Sequence, residues 1–126
     1  MKKHHILVVD DEDVGYAAIE ISLGTRKYKI SRAESVQEAW DFLHENSSPD
    51  LIILDVLMPK KMGLELLDRM AESEIKIPVI VVSGADIVQT ARAALKKGAA
   101  DFLPKPITAH EISEAVEMVL KKGGEN

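Results

Sequence analysis

Three short runs of consecutive apolar, mostly β-branched residues constrain the fold of this chain more than any other feature. They are Ile6-Leu7-Val8-Val9, Leu51-Ile52-Ile53-Leu54 and Val79-Ile80-Val81-Val82. A strand that is apolar on both faces must be covered on both faces, as in a parallel sheet with helices above and below it. Each run is far shorter than the roughly 18 residues of a membrane span. The runs therefore predict the central strands of a parallel sheet.

Two weaker segments predict further strands. Ala99–Leu103 follows Gly98 and is short, whereas Tyr28–Ala33 alternates in character and is more polar. A polar strand is favoured at the edge of a sheet, where one side of it faces solvent. We therefore expect five strands, with the segment at Tyr28–Ala33 at an edge.

Apolar residues recur at helical spacing between the strands and after the last one. The segments marked in this way are Val14 to Ile21, Val36 to Leu43, Leu64 to Ala71, Ile87 to Lys97 and Ile112 to Val119. Strands that alternate with helices in this manner predict a parallel sheet with helices on both faces. We expect one α/β domain over residues 1–126, with its core at about 5–122.

Capping signals mark the helix ends. Ser35 with Glu38 and Thr108 with Glu111 have the spacing of capping boxes. Asp13 is the expected cap of the first helix. Lys121 and Lys122 precede Gly123, which predicts the end of the last helix there. Residues 123–126 are expected to form a frayed tail.

Composition excludes several classes of function. The chain has no cysteine, which rules out disulfides and zinc–thiolate sites. Its net charge of −5 argues against a nucleic-acid-binding surface, which needs a basic stripe. The apolar stretch after the basic start ends at Asp10, too early for a signal peptide. A cytoplasmic location without membrane attachment is the expectation.

Polar residues stand where the predicted strands end. The first strand is followed by Asp10 and Asp11, the second apolar run by Asp55, the third by Ser83, and the last strand by Lys105. Parallel sheets bind ligands outside the carboxyl ends of their strands. Each residue alone is ordinary, as a loop acid, a turn serine or a surface lysine. Because all of them occur in order at strand ends, we expect a single site.

This set of residues suits the chemistry of a phosphoryl group. Three carboxylates close together repel one another unless a cation binds between them. Oxygen ligands favour a hard ion, and Mg²⁺ suits a site with few protein ligands and several waters. Lys105 and Ser83 add a positive charge and a hydroxyl donor for phosphoryl oxygens. An aspartate held there can act as a nucleophile.

The motifs resemble those of the receiver domains of bacterial two-component response regulators, over about Ile6 to Lys122. Val8-Val9-Asp10-Asp11-Glu12 is similar to the family's acidic pair. The phosphoacceptor motif corresponds to the stretch from Leu54 to Gly63, which includes the Met58-Pro59 pair. The remaining motifs are Val82-Ser83-Gly84 and Phe102-Leu103-Pro104-Lys105-Pro106.

The resemblance implies a role for each matching residue. Asp55 is the phosphoacceptor, and Ser83 and Lys105 contact the phosphoryl oxygens. The implied ligands of Mg²⁺ are Asp11 and Asp55 directly, Asp10 through water, and the backbone carbonyl of Leu57. Phe102 is the aromatic switch residue that follows Ser83 inward. The implied fold is flavodoxin-like, with strand order 2-1-3-4-5, and the resemblance allows a cis Lys105–Pro106 bond.

The resemblance also implies partners. A separate histidine kinase or phosphotransfer protein donates the phosphoryl group, and a downstream effector or effector domain reads the result. A homodimer through the face of the last helix is a further option. The chain departs from the family in having Phe102 where tyrosine is frequent and Gly84 where alanine is usual. In the family, the residues two positions after the phosphoacceptor and two after the switch hydroxyl flank the path of the hydrolytic water. The resemblance places Leu57 and Ala85 there, and since neither side chain can hydrogen-bond a water, the phosphoryl group is expected to be long-lived.

Other classes of protein remain as alternatives. Asp11-Glu12-Asp13 superficially fits the D-x-D motif of Mg²⁺-dependent phosphatases of the haloacid dehalogenase type. The chain lacks the downstream Thr or Ser of that class and room for its later acidic motif. A flavin-binding electron carrier needs a phosphate loop rich in Ser, Thr and Gly, whereas the first loop here is acidic. A receiver-like interaction module that is never phosphorylated is the third alternative. The main expectation is a signalling switch that is not an enzyme.

Overall fold

Strands and helices alternate strictly in the computed structural model, which describes residues 3–45, 48–56, 63–84 and 87–124. Within these residues there are five strands and five helices. In chain order they are β1 (His4–Val9), α1 (Asp13–Leu23), β2 (Tyr28–Ala33), α2 (Val36–Glu45), β3 (Leu51–Asp55), α3 (Glu65–Glu72), β4 (Val79–Ser83), α4 (Ile87–Lys96), β5 (Asp101–Pro104) and α5 (Ala109–Gly124).

The strands form one parallel sheet of order β2-β1-β3-β4-β5. This order is the flavodoxin-like order predicted above. The polar strand β2 lies at one edge, as its composition predicts. β3 and β4 are buried at every residue, and they are also the most continuously apolar segments. The carboxyl ends of all the strands therefore point to the same edge of the sheet.

Each face of the sheet carries its own hydrophobic cluster, because the side chains of a strand alternate between the faces. On one face, Leu7, Leu54 and Val81 pack with buried residues of α2, α3 and α4. On the other face, Ile53 and Val82 pack with buried residues of α1 and α5. The prediction of helices on both faces is confirmed. No helix in the described ranges is long and apolar enough to cross a lipid bilayer.

The helix α1 forms where predicted, but the apolar stripe used to predict it faces solvent. Val14 and Ile21 are 82% and 81% exposed, and the alanines between them are exposed as well. The residues that face the sheet are Tyr16, Ile19 and Leu23, which also follow helical spacing. Periodicity identifies a helix but does not choose between two apolar stripes on it.

Three predicted element ends are wrong by a few residues. The helix α1 begins at Asp13, and its N-cap is Glu12, whose side chain makes no capping bond. β5 begins at Asp101, because the Ala99 amide donates back to the Ala94 carbonyl at the end of α4 (3.0 Å). The helix α5 continues through both glycines to 124, so Gly123 does not terminate it.

The two predicted capping boxes have different outcomes. Thr108 and Glu111 form a full box, in which each backbone N–H donates to the other side chain at 2.9 and 3.1 Å. Ser35 Oγ accepts the Glu38 N–H at 3.0 Å. The Glu38 carboxylate, however, accepts from the Glu34 N–H at 2.9 Å rather than from that of Ser35. In the Ser35–Glu38 box, the backbone N–H that the glutamate accepts therefore belongs to the residue before the expected one.

Candidate functional site

The sheet brings the predicted site residues to one edge. Asp10 directly follows β1, Asp55 and Ser83 are the last residues of β3 and β4, and Lys105 follows β5. Among the described residues, Asp10, Asp55 and Ser83 are the polar or charged residues that are buried. Burial of a charged group is costly unless it is paired or hydrogen-bonded. Such a cluster at a ligand-binding edge therefore marks a functional site.

Asp55 is held from one side by a cation. Lys105 Nζ donates to Asp55 Oδ2 at 2.7 Å, and the Lys105 backbone N–H donates to the Ser83 carbonyl at 2.9 Å. The Lys105–Pro106 peptide bond is cis, as the resemblance allows. The ion pair and the Lys105–Ser83 backbone bond thus connect the ends of β3, β4 and β5.

Burial raises the pKa of Asp55 from 3.8 to about 7. The Lys105 ammonium opposes this shift, while the neighbouring Asp10 carboxylate adds to it. Since burial outweighs the ion pair, Asp55 holds its proton at a pH where an exposed aspartate is ionised. A second cation beside the carboxylate would restore the ionised form.

Asp10 is fixed by the loop that it begins. Its Oδ1 accepts the Glu12 N–H at 2.8 Å, which closes an Asx turn. Its backbone N–H donates to the Ala33 carbonyl at 3.0 Å. Its carbonyl accepts from Arg32 Nε at 3.1 Å. Both the side chain and the backbone of Asp10 are therefore held in place.

Arg32 is a residue of this site that the sequence motifs do not identify. Besides bonding the Asp10 carbonyl, it donates through Nη1 to Asp13 Oδ1 at 2.8 Å. Its guanidinium lies over the Tyr16 ring, 5.1 Å from the centroid. One signal in the sequence could have identified it. Arg32 is the penultimate residue of the edge strand β2, so it lies near the carboxyl end of that strand, where the site is. Arg32 thus ties β2 to the acidic loop and to the start of α1.

Two carboxylate oxygens at the site lack a partner in the part of the protein that the structure describes. Asp10 Oδ2 and Asp55 Oδ1 are buried, and neither has a hydrogen-bond partner within the described part of the chain. Unpaired buried carboxylate oxygens fit a bound cation, and Mg²⁺ often uses one or two carboxylates with several waters. The donor set therefore suits Mg²⁺ better than an ion that needs a full protein cage.

Asp11 is the most exposed of the three acidic residues predicted to bind the metal. It is exposed and lines a cleft of about 490 Å³ with Asp10, Asp55 and residues of α2 and α3. No group of three or more His, Cys, Asp or Glu side chains in the described ranges is clustered tightly enough to hold a metal alone. Leu57, the predicted carbonyl ligand, lies outside the described residues, as does Ala85.

A second cleft reaches Asp55 from the opposite face of the sheet. It measures about 430 Å³ and is lined by Asp55, Lys105 and Pro106 together with residues of α1 and α5. Asp55 therefore lies where two clefts meet. The first cleft is lined by Asp10 and Asp11, and the second by Lys105.

Ser83 and Phe102 lie on the same face of the sheet. Ser83 pairs with Pro104 and Val81 pairs with Phe102 in the register of β4 and β5. Since alternate residues of a strand share a face, Ser83 and Phe102 are diagonal neighbours on the face covered by α4. Ser83 is fully buried, and Phe102 is partly buried against the cluster on that face. This placement suits a coupled pair of side chains.

Comparison with known proteins agrees with this geometry. The family described as "Response regulator receiver domain" matches residues 6–117. The fold and the strand order described above are therefore those of a known family. The chain belongs to the response-regulator receiver family.

The individual relatives are response regulators from bacteria and plants. The response regulator MprA of Mycobacterium sp. strain KMS is 33% identical over 117 residues, which are 93% of this chain and 50% of the relative. The two-component response regulator ORR3 of rice (Oryza sativa subsp. indica) is 35% identical over 120 residues, 94% of this chain and 92% of the relative. The chain thus spans about half the length of the MprA relatives.

Solved structures of receiver domains superimpose closely. The receiver domain of NtrX from Brucella abortus has a TM-score of 0.82 at 30% identity, covering 92% of this chain and 98% of that one. The receiver domain of the Francisella response regulator 1452 has a TM-score of 0.85 at 27% identity, covering 96% of this chain and 99% of that one. The similarity therefore extends over nearly the whole described fold.

Proposed function

We propose that this receiver accepts a phosphoryl group on Asp55 from a phosphohistidine of a separate kinase or phosphotransfer protein. The observation that carries the proposal is the state of the Asp55 carboxylate. One of its oxygens is paired with Lys105, the other is buried without a partner among the described residues, and the residue lies where two clefts meet. A carboxylate with these neighbours is equipped to bond to a phosphoryl group rather than to stabilise the fold.

The transfer step exchanges one bond to phosphorus for another. An oxygen of the Asp55 carboxylate bonds to phosphorus while the phosphorus–nitrogen bond of the donor breaks. The donor imidazole keeps the electron pair of that bond and takes up a proton. Lys105 and the Ser83 hydroxyl bind phosphoryl oxygens and balance charge that develops on them. In this scheme Lys105 moves from its bond with Asp55 to the incoming group.

Mg²⁺ is the proposed cofactor, with Asp10, Asp11, Asp55 and the Leu57 carbonyl as its ligands. When bound, it supplies positive charge that stabilises the ionised Asp55 and the phosphoryl oxygens. Asp10 is the best placed of these ligands after Asp55, because its side chain is buried beside Asp55 and its Oδ2 lacks a partner in the described ranges. Asp11 reaches the same cleft from a more exposed position.

The proposed output is a change of the surface formed by α4, β5 and α5. Phosphoryl oxygens that bind Ser83 draw it toward Asp55 and open space on the face that it shares with Phe102. Phe102 then turns inward, which makes β5 a two-state element biased by one local charge. The proposed readers are an effector or effector domain, or a second copy of the chain that docks along α5.

The stoichiometry of phosphate release separates this switch from the alternatives. A switch that is not an enzyme accepts one phosphoryl group per chain and then releases it by its own hydrolysis. The test incubates the protein with Mg²⁺ and para-nitrophenyl phosphate, and separately with a phosphorylated histidine kinase. We expect transfer of one equivalent from the kinase and no sustained turnover of the small ester. Continuous turnover would favour a phosphatase, and no transfer at all would favour an interaction module.

A further inference from the structure

The Asp10 carboxylate occupies space that any side chain on Gly15 would fill. Gly15 lies in the first turn of α1. A Cβ placed on it would lie 2.3 Å from Asp10 Oδ2, 3.1 Å from Cγ and 3.3 Å from Oδ1. Real Cβ atoms essentially never lie as close as 2.3 Å to a non-bonded atom. A side chain at position 15 therefore forces a shift, either of the Asp10 carboxylate or of the first turn of α1.

Asp10 cannot yield without losing interactions. Its Oδ1 is bound by the Glu12 N–H at 2.8 Å, and the whole residue is buried. Its backbone is fixed by bonds with Ala33 and Arg32 at 3.0 and 3.1 Å. The contact is then relieved by rotation of the Asp10 side chain or by displacement of the first turn of α1. That rotation would break the bond to Glu12 and redirect Oδ2.

The backbone gives no reason for glycine at this position. The described glycines with positive φ are Gly24 and Gly98, so Gly15 has a conformation that alanine also adopts. Glycine is a poorer helix former than alanine, because it loses more conformational freedom on folding. The helix α1 therefore carries a residue that weakens it, at a place where a methyl group would meet a buried carboxylate.

We propose that Gly15 is a positioning residue for Mg²⁺ binding, which keeps the Asp10 carboxylate aimed into the site. This inference rests on the proposed function, because it takes Asp10 to be a metal ligand. Gly15 acts by leaving space, and it contacts neither the metal nor the phosphoryl group. Glycine at this position makes α1 less stable, but it allows the Asp10 ligand oxygen to keep its direction.

The test is Gly15→Ala in the full chain, measured by calorimetric titration of the metal-free protein with Mg²⁺. Residues that orient metal ligands typically contribute 10–100-fold to affinity. We expect the Kd for Mg²⁺ to rise about 10-fold, at the lower end of that range. The matched control is Gly15→Ala in an Asp10→Ala background, where the methyl group has no carboxylate to meet. There the substitution should leave the Kd unchanged and raise the Tm.

A second readout needs no metal. In the wild type the Glu12 amide donates to Asp10 Oδ1, so its NMR signal reports the position of the carboxylate. In metal-free Gly15→Ala this signal should shift upfield and the amide should exchange faster, while amides of β4 stay unchanged. An unchanged Glu12 amide, or an equal loss of affinity in both backgrounds, would overturn the positioning role. A wild type that binds no Mg²⁺ would overturn the proposed metal site. In that case the Glu12 amide would still show whether Gly15 sets the position of the Asp10 carboxylate.

Discussion

The Lys105 ammonium lies 2.7 Å from Oδ2 of Asp55, and the two ends of this ion pair differ sharply in exposure. The Asp55 side chain is 1% exposed, whereas that of Lys105 is 32% exposed. A buried carboxylate paired with a half-buried cation is stabilised only in part. Its protonation therefore responds to pH, to loss of the lysine and to any further cation.

The metal-free protein should lose stability as the pH rises from about 5 to about 7. Folding raises the pKa of Asp55 from 3.8 to about 7, so in that window the folded state binds a proton that the unfolded state has released. The resulting stabilisation is complete below the unfolded pKa and is lost as the pH rises through the folded pKa. The slope is at most about 1.4 kcal/mol per pH unit. Urea unfolding across this range should give a flatter profile for Asp55→Asn, and parallel profiles would contradict the account.

Replacing Lys105 should cost more stability than replacing a lysine of equal exposure elsewhere. Lys105→Met leaves the buried Asp55 without its cation and should lower the free energy of unfolding at pH 8 by about 1–3 kcal/mol. Lys97 is the matched control, because its side chain is 33% exposed but its partner Asp68 is 48% exposed. Lys97→Met should cost about 1 kcal/mol or less. Equal losses in the two variants would show that burial of the partner does not matter here.

Two acidic residues should share the binding of Mg²⁺ in the free protein. Asp11→Ala is expected to abolish Mg²⁺ binding, because the affinity of a hard cation at this site depends mainly on carboxylate charge. It should also make the metal-free protein more stable by relieving repulsion. Calorimetric titration is the measurement, with Asp13→Ala as a control for general loss of charge. Unchanged affinity in Asp11→Ala, with loss in Asp10→Ala, would remove Asp11 from the ligand set and leave Asp10 as the ligand beside Asp55.

Phe102 should be needed for the output and not for the chemistry. Phe102→Ala removes the ring that shares a face with Ser83, so the variant should accept the phosphoryl group but lose most of the spectral response of α4 to it. The measurement is the change in amide chemical shifts on phosphorylation. Leu103→Ala is the control, because Leu103 packs on the opposite face of β5. A variant that no longer accepts the phosphoryl group would leave the switch role unsupported.

The sheet was predictable from the sequence, because its signals are local. β3 and β4 are apolar at every position before their last residue, and short runs of this kind are typical of strands covered on both faces. The acids and the lysine at strand ends were predictable for the same reason, since a parallel sheet places all carboxyl ends at one edge. Even β2 was placed at an edge from its polarity alone.

Features that depend on contacts between distant segments were missed. The spacing of Val14 and Ile21 predicted the helix α1, but these two side chains are exposed, and Tyr16 and Ile19 face the sheet. The role of Arg32 depends on the distance between β2 and the loop after β1, which no spacing reveals. The importance of Gly15 depends in the same way on the position of Asp10. Local pattern does not contain this information.

The central claim is that Asp55 is the phosphoacceptor, and intact mass spectrometry tests it most directly. The wild type, Asp55→Asn and the matched control Asp50→Asn are each incubated with acetyl phosphate and Mg²⁺. Asp50 directly precedes β3, at the end of the strand opposite Asp55. The account predicts one phosphoryl adduct on the wild type and on Asp50→Asn, and none on Asp55→Asn. An unmodified wild type in a sample that binds Mg²⁺, or an adduct that persists in Asp55→Asn, would contradict it.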